Sequence, residues 1–373
     1  MTPADLSRTV LHAVRRAVDE DALRAAVPAH VRVERTRPGG SGDYACAVAL
    51  QLARPAGLPA KEVAALLRDR ILGAPGIRGV EITGPGFLNF TLHASVGADA
   101  RAARVHEIRE RGLRYGRTDA GADTLHRLHH PGEIRAAVVA QGVARLLRTQ
   151  GGQATVGCEA DPGARWEELG VPAGLRPGDG GGTETRPVPA RATEIPTTPA
   201  RAVEIRPVPA RATASALLAR LGRDAALWGL QRPATHDPAP LGDDLIVQGE
   251  ANPLFLVRYA HARARAIVRE GERLGITPVY EEDVEAPALH RALADHPPVL
   301  AAAAHHHAPD RVARHLETVA DAFFDFHDAT PPLPAGDEKP SAAHRSRLAL
   351  AEAAGTVLAG GLSLLGISAP EHL

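Results

Sequence analysis

The chain has 373 residues, enough for two or three domains at roughly 100–200 residues each. Its 43 lysines and arginines almost cancel its 44 aspartates and glutamates, which excludes a general basic coat for nucleic acid and confines any phosphate binding to local patches. Two distant cysteines, Cys46 and Cys158, support neither a disulfide framework nor a cysteine zinc site. No apolar signal core opens the sequence, and the most apolar stretch, Ala353 to Ile367, is too short to span a membrane, so a soluble, cytoplasmic chain is expected.

In chain order, Thr2 can cap a first helix with Pro3 at its first position, and Leu6, Val10, Ala13, Val14 and Ala17 recur at helical spacing. Val31 to Glu34 reads as a strand, Pro38 to Gly42 as a loop, and Tyr44 to Leu52 as an apolar, alanine-rich element. Pro59 to Leu72 carries a second helical pattern, stopped by Gly73 and Pro75. Val80 to Ile82 and Phe87 to Leu92 form a strand pair around Gly84-Pro85-Gly86, a turn and not a phosphate loop, since no helix follows it. Leu125 to His129, a helix opened by Pro131 and running to about Thr149, and Gln153 to Val156 make one β-α-β unit.

Three tandem decapeptides follow: Arg186 to Ile195, Pro196 to Ile205 and Arg206 to Ser215, each containing Pro-Ala-Arg-Ala. Their prolines favour extended polyproline II and their apolar content is too small to offset ordering entropy, so 161–215 reads as a linker. The last third reads as helices at Ala216 to Leu230, Asn252 to Leu274, Arg311 to His327 and Ser346 to Leu365, joined as an antiparallel bundle. On the second of these, Arg258, Arg265, Arg269 and Arg273 share one stripe, with Leu256, Val257, Ala260, Ala264, Ile267 and Leu274 opposite. Tyr259 and Arg263 lie between the faces, placed to stack on and hydrogen-bond a splayed base. An ordinary solvated charged face is the plainer alternative. His126, His129, His130 and the run His305-His306-His307 read as a remnant motif and a solvated helix end, with no metal site expected.

Several motifs in order resemble arginyl-tRNA synthetases. Gly42-Asp43-Tyr44 and Gly84-Pro85-Gly86-Phe87-Leu88-Asn89-Phe90 resemble that family's N-terminal additional domain, which contacts the tRNA elbow. Asn252-Pro253, Tyr259-Ala260-His261-Ala262-Arg263 and Leu364 to Glu371 resemble its helical anticodon-binding domain. Leu221-Gly222-Arg223-Asp224-Ala225-Ala226 resembles the joint before that bundle. The resemblance covers 1–157 and 216–373. It implies an α+β, predominantly helical chain with four parts. These are a small N-terminal α/β domain (1–115), a β-α-β remnant of a nucleotide-binding domain (116–160), the linker (161–215) and an antiparallel anticodon-binding-type bundle (216–373).

The resemblance also shows what differs. The family's His-x-Gly-His signature stabilises ATP phosphate charge at a helix N-terminus, and a lysine-bearing loop neutralises pyrophosphate. Here the first survives only as His130-Pro131-Gly132-Glu133, placing a carboxylate where a triphosphate would sit. The only lysines, Lys61 and Lys339, lie in no such context. The family's aromatic at position 256 is Leu256, its glutamine at 258 is Arg258, and its terminal methionine is Leu373. The expectation is a non-catalytic relative without cofactor, metal or catalytic residue that binds tRNA, foremost tRNA for arginine. The binding residues implied are Asp43, Tyr44, Asn89, Asn252, Arg258, Tyr259, Arg263, Arg265, Arg269 and Arg273. A regulatory or scaffold protein without RNA binding, pairing with the full-length synthetase or another protein, is the alternative, and an active arginine-tRNA ligase the third reading.

Overall fold

The computed structural model describes residues 3–28, 30–36, 41–74, 76–92, 94–122, 124–160, 163–172 and 201–373. The expected cap at Thr2, most of the loop at 38–42, the helix stop at Pro75, the first decapeptide and most of the linker lie outside the described residues. The chain forms two compact units, 1–103 and 104–373.

The first unit packs three helices on an antiparallel sheet of order β1-β2-β4-β3. The strands are β1 (Val33–Arg35), β2 (Tyr44–Cys46), β3 (Ile77–Thr83) and β4 (Phe87–Leu92). The helices are α1 (Pro3–Asp19), α2 (Val48–Ala56) and α3 (Ala60–Ile71). The apolar spacing read from the sequence is what packs: Leu6, Val10 and Val14 of α1 meet Val63, Leu67 and Ile71 of α3 over Leu88 and Phe90 of β4. The single element expected at 44–52 divides into β2 and α2, because Tyr44 to Cys46 pair with Phe90 to Leu88 before the helix starts. Gly42 is required at its place: its φ is +76° and a Cβ would lie 2.8 Å from the Phe90 carbonyl oxygen. The boundary between the units falls within α4 (Ala94–Arg111), a helix the sequence pattern did not announce.

The second unit contains a parallel sheet and a helical bundle around one continuous core. The sheet has order β6-β5-β7, from β5 (Leu125–His130), β6 (Gln153–Cys158) and β7 (Arg201–Glu204). The helices are α5 (Ile134–Thr149), α6 (Ala214–Gln231), α7 (Pro253–Arg273), α8 (Pro287–His305), α9 (Asp310–Ala329) and α10 (Ala342–Leu364).

One expectation is corrected here. The expected linker does not extend to 215: the second decapeptide supplies β7, which pairs in parallel with His126 to His129 of β5, and Ile205 N–H continues the ladder to His129 O at 2.8 Å. Ile205 is buried, so its apolar side chain adds to the sheet's core what composition alone did not suggest. The third decapeptide runs across the end of the sheet, and its Thr213 caps α6 by accepting from Ala216 N. The sequence leaves open where 116–160 packs. Val139, Val143 and Leu146 of α5 share a core with Trp228 of α6 and Leu293 and Leu300 of α8. α8 was itself hidden by Pro297 and Pro298, which lie inside it.

Side-chain donors weld sheet and bundle together. Arg135 on α5 is fully buried and donates to five backbone carbonyls: Val208 (2.8 Å), Leu230 (3.1 Å), Pro233 (3.2 Å), Ala234 (2.9 Å) and Asp237 (2.6 Å). Arg145, one face further along, donates to Leu364 O at the end of α10, where Gln231 also donates to Leu365 O and Arg223 to Gly366 O. These are the free carbonyls of a helix C-terminus, which favour positive partners.

Two measurements test this account. Arg135→Met leaves five carbonyls without their donor and should cost at least about 3 kcal/mol in urea unfolding at pH 7. The second concerns His296 and His315, buried side by side with ring centroids 5.3 Å apart. Burial, with the neighbouring imidazole adding to it at His296, pushes that residue down to about 3 and His315 to about 4. Both are therefore neutral when folded, while the unfolded chain takes up protons below about pH 6.5. Stability should be complete above that pH and fall on acidification, by about 2 kcal/mol per histidine at pH 5. His315→Leu should reduce the slope of stability against pH between 6.5 and 5.

Candidate functional site

The residues resembling a nucleotide signature lie where β5 hands over to α5. Position 133 is the N-cap of α5, extended at φ −125° and ψ 136°, and its side chain has two structural partners. Glu133 Oε2 accepts from Ala136 N at 3.0 Å, and Oε1 accepts from Ala210 N at 3.0 Å, on the segment derived from the third decapeptide. The helix N-terminus, with its unpaired N–H groups and partial positive charge, is thus already answered by the chain's own carboxylate. β5 lies between β6 and β7, so this is also the point where strand order reverses, the usual location of a nucleotide crevice. Arg135 holds the same segment down through Val208 O.

His130 is equally enclosed. It is 2% exposed, its Nδ1 lies 2.7 Å from Pro131 O, and its ring faces Trp166 at a centroid distance of 6.4 Å. Burial pulls its pKa below the ordinary histidine value, which favours a neutral ring. The space beside it is a cavity of about 20 Å³ lined by His130, Gln141, Cys158, Trp166 and Val171. That is room for about one water, against the several hundred Å³ of a typical ligand pocket. Lys61 lies on α3 and Lys339 in the α9–α10 connection, both exposed. Among the described residues no three His, Cys, Asp or Glu side chains converge as a metal site. His305 and His306 are exposed at the end of α8, while His307 turns its ring toward His126.

In the first unit the motif residues are occupied by the fold. Asp43 Oδ2 accepts from Leu92 N at 2.8 Å, and the Asp43 N–H donates to Phe90 O at 2.7 Å. Asn89 is 5% exposed and donates to Thr83 Oγ1 at 2.6 Å. Tyr44 is half-buried opposite Phe90, whereas Phe87 at the turn is exposed. The two motifs pair with one another through β2 and β4, which explains their joint occurrence without any ligand.

On α7 the arrangement is more open. Asn252 is an exception: buried, it caps the helix by accepting from Leu254 N and Phe255 N and donates to Leu245 O and Val247 O, so all its polar groups are used. Val257, Ala260, Ala264 and Ile267 face the core as expected, but Leu274 is exposed because the helix ends at Arg273. The arginine stripe is not free. Glu371 reaches Arg265 at 3.1 Å and Arg269 at 3.5 Å, and Arg269 also donates to Glu371 O. Arg273 pairs with Glu270 at 3.1 Å. Tyr259 is exposed in the middle of a stack, 5.7 Å from Phe255 (5° between planes) and 5.7 Å from Phe324 (26°). Arg263 is exposed beside it, with Nη2 3.3 Å from His327 Nε2. Arg263, Arg269, Arg273, His327 and Pro332 line a groove of about 680 Å³. Phe255, Phe324, His327 and Glu371 were not singled out from the sequence. A usable signal existed for the first, since Phe255 lies four residues before Tyr259 in a chain with 3% aromatics.

Comparison with known proteins fixes the relationship. Residues 5–92 match the arginyl tRNA synthetase N-terminal domain, and 257–373 match the DALR anticodon binding domain. This is an arginyl-tRNA synthetase-related chain. The arginine–tRNA ligases of Frankia alni (28% identical) and Paenarthrobacter aurescens (27%) align over the whole of this chain and of their own. The Frankia alignment spans 553 positions against 373 residues here, so at least 180 positions have no counterpart in this synthetase-related chain. The Thermus thermophilus arginyl-tRNA synthetase has the same fold at 15% identity, with a TM-score of 0.68 over all of both chains. That from Plasmodium falciparum gives 0.70 at 9% identity, over all of this chain and 99% of its own. The chain is accordingly mostly helical, with small sheets and a C-terminal helical DALR domain. No described helix is long and apolar enough to cross a membrane.

Glu133 supplies the test of this geometry. Glu133→Ala removes both acceptors and should destabilise the second unit by about 1–2 kcal/mol, whereas Glu133→Asn, able to cap α5 but too short to bridge to Ala210, should cost less. Thermal unfolding of the two variants checks the order.

Proposed function

We propose that this chain is a non-catalytic arginyl-tRNA synthetase paralogue that binds tRNA, with tRNA for arginine as its ligand. The observation carrying the non-catalytic reading is the Glu133 carboxylate, which joins the N-terminus of α5 to Ala210 across the switch point of the sheet. A triphosphate placed there would meet a half-buried like charge and a backbone segment held by Arg135, beside a cavity of only about 20 Å³. The unmatched 180 or more positions support the same reading.

The binding reading rests on the anticodon-binding domain and on what its α7 face presents. An exposed, stacked tyrosine beside an exposed arginine suits an unpaired base, and the groove below offers guanidinium groups to phosphate. Asp43, Asn89 and Asn252 bond within the fold, so we assign binding foremost to Tyr259 and Arg263, with Arg265, Arg269 and Arg273 contributing charge. One observation favours a protein-binding scaffold instead: Glu371 pairs with Arg265 and Arg269.

Arginine-dependent ATP–pyrophosphate exchange should not exceed the enzyme-free blank; exchange above it overturns the non-catalytic reading. In an electrophoretic titration, tRNA for arginine should bind more tightly than unrelated tRNAs. Tyr259→Ala should weaken that binding about tenfold, at the scale of one base stack. Equal affinity for all tRNAs, or none, would favour the scaffold reading.

A further inference from the structure

A groove of about 1010 Å³ lies between α8 and α9, closed on one side by the loop after α6. Its lining includes no residue of α7. Helical spacing makes it amphipathic. On α9, Arg311, Arg314 and His315 fall at i, i+3 and i+4 and so share one face. On α8, Pro298, Val299 and Ala302 fall close together in the same way and supply an apolar wall.

The polar face holds unused hydrogen-bonding capacity. Arg311 is exposed, and its guanidinium has no hydrogen bond or ion pair among the described residues. Asp310, the buried acid at the start of α9, is met by Arg314 Nη2 at 2.9 Å, which leaves Arg311 uncancelled and the other donors of Arg314 available. His315 is 7% exposed, and its buried Nε2 meets no partner. Such a nitrogen carries a desolvation cost that a ligand atom would offset. Of the remaining acids in the groove, Asp237 sits 3.8 Å from the ring of its neighbour His236. Asp295 stands ten residues before the end of α8 at His305, so about 15 Å of helix separates it from the turn beside Arg311.

Two guanidiniums with donors to spare suit a head group of three acceptor oxygens and nearly double charge, which is a phosphate monoester; a carboxylate is satisfied by one arginine fork. The volume exceeds what a bare phosphate fills, and the apolar wall suits a flat ring. An imidazole nitrogen can donate to or accept from a ring heteroatom, according to its tautomer.

We propose that the groove between α8 and α9 binds a phosphate monoester carried on a heterocyclic ring, with Arg311 and Arg314 on the phosphate and His315 hydrogen-bonded to the ring. This goes beyond the tRNA-binding reading and does not depend on it.

Isothermal titration of the full chain with uridine monophosphate, uridine, inorganic phosphate and benzoate tests it. The monophosphate should bind about tenfold or more tighter than uridine or inorganic phosphate, each of which offers one of the two recognised parts. Arg311→Gln, at an exposed and unpaired site, should weaken it about tenfold with thermal stability unchanged. His315→Phe keeps the ring volume without the hydrogen bond, and should weaken uridine monophosphate while leaving inorganic phosphate unaffected. Ala302→Leu puts a larger side chain into the groove and should abolish binding of the monophosphate. No binding of uridine monophosphate at millimolar concentration, binding no tighter than that of inorganic phosphate, or binding unmoved by both Arg311→Gln and Ala302→Leu overturns this inference. Benzoate binding tighter than the monophosphate overturns the choice of phosphate as head group. None of these results bears on tRNA binding, which the electrophoretic titration measures separately.

Discussion

A single buried guanidinium organises the second unit. Arg135 is withdrawn from water on α5, and its charge is met by the dipoles of five carbonyls drawn from the segment before α6, the end of α6 and the loop after it. Lysine, a compact point charge with three donors, could not serve five acceptors spread across one plane and its edges. Because those acceptors come from segments separated from Arg135 by 73 to 102 residues, the interaction fixes tertiary geometry and not merely a helix end. It sets where the third decapeptide runs, and so what lies over the end of the sheet.

That placement brings a backbone segment to the switch point of the sheet. With the segment held by Arg135, Ala210 N–H points at Glu133, and the carboxylate answers both it and α5. The electrostatic attraction of a helix N-terminus for an anion is still in use, but the anion is now part of the chain. His130 is buried beside Trp166, and burial holds its pKa below the ordinary histidine value. Arg145, Gln231 and Arg223 then fasten α5 and α6 to the end of α10, so a sheet with three strands among the described residues draws on the bundle for its core.

The α7 face follows a different principle. Its cations are balanced by Glu371 and Glu270, which limits the potential of the stripe and shifts weight to the aromatic stack of Phe255, Tyr259 and Phe324. Stacking is short-ranged and survives salt, whereas guanidinium–phosphate contacts are screened.

What the sequence determined by itself was whatever depends on near neighbours. Helical spacing located α1, α3, α5, α7, α9 and α10, and the turn at Gly84-Pro85-Gly86 located the β3–β4 hairpin, because i, i+4 and alternating patterns are local signals. The motif His130-Pro131-Gly132-Glu133 likewise declared a carboxylate at a helix start. What only the tertiary structure decided was pairing across long separations. A proline-rich repeat became β7 because β5 offered a free edge and Ile205 an apolar anchor; α8 tolerated two prolines because its other face was buried. Asn89 and Asn252 met hydrogen-bond partners within the fold, and Arg265 and Arg269 pair with a glutamate about a hundred residues away. Burial and hydrogen-bond partnership belong to three-dimensional neighbours, and residue spacing carries no record of them.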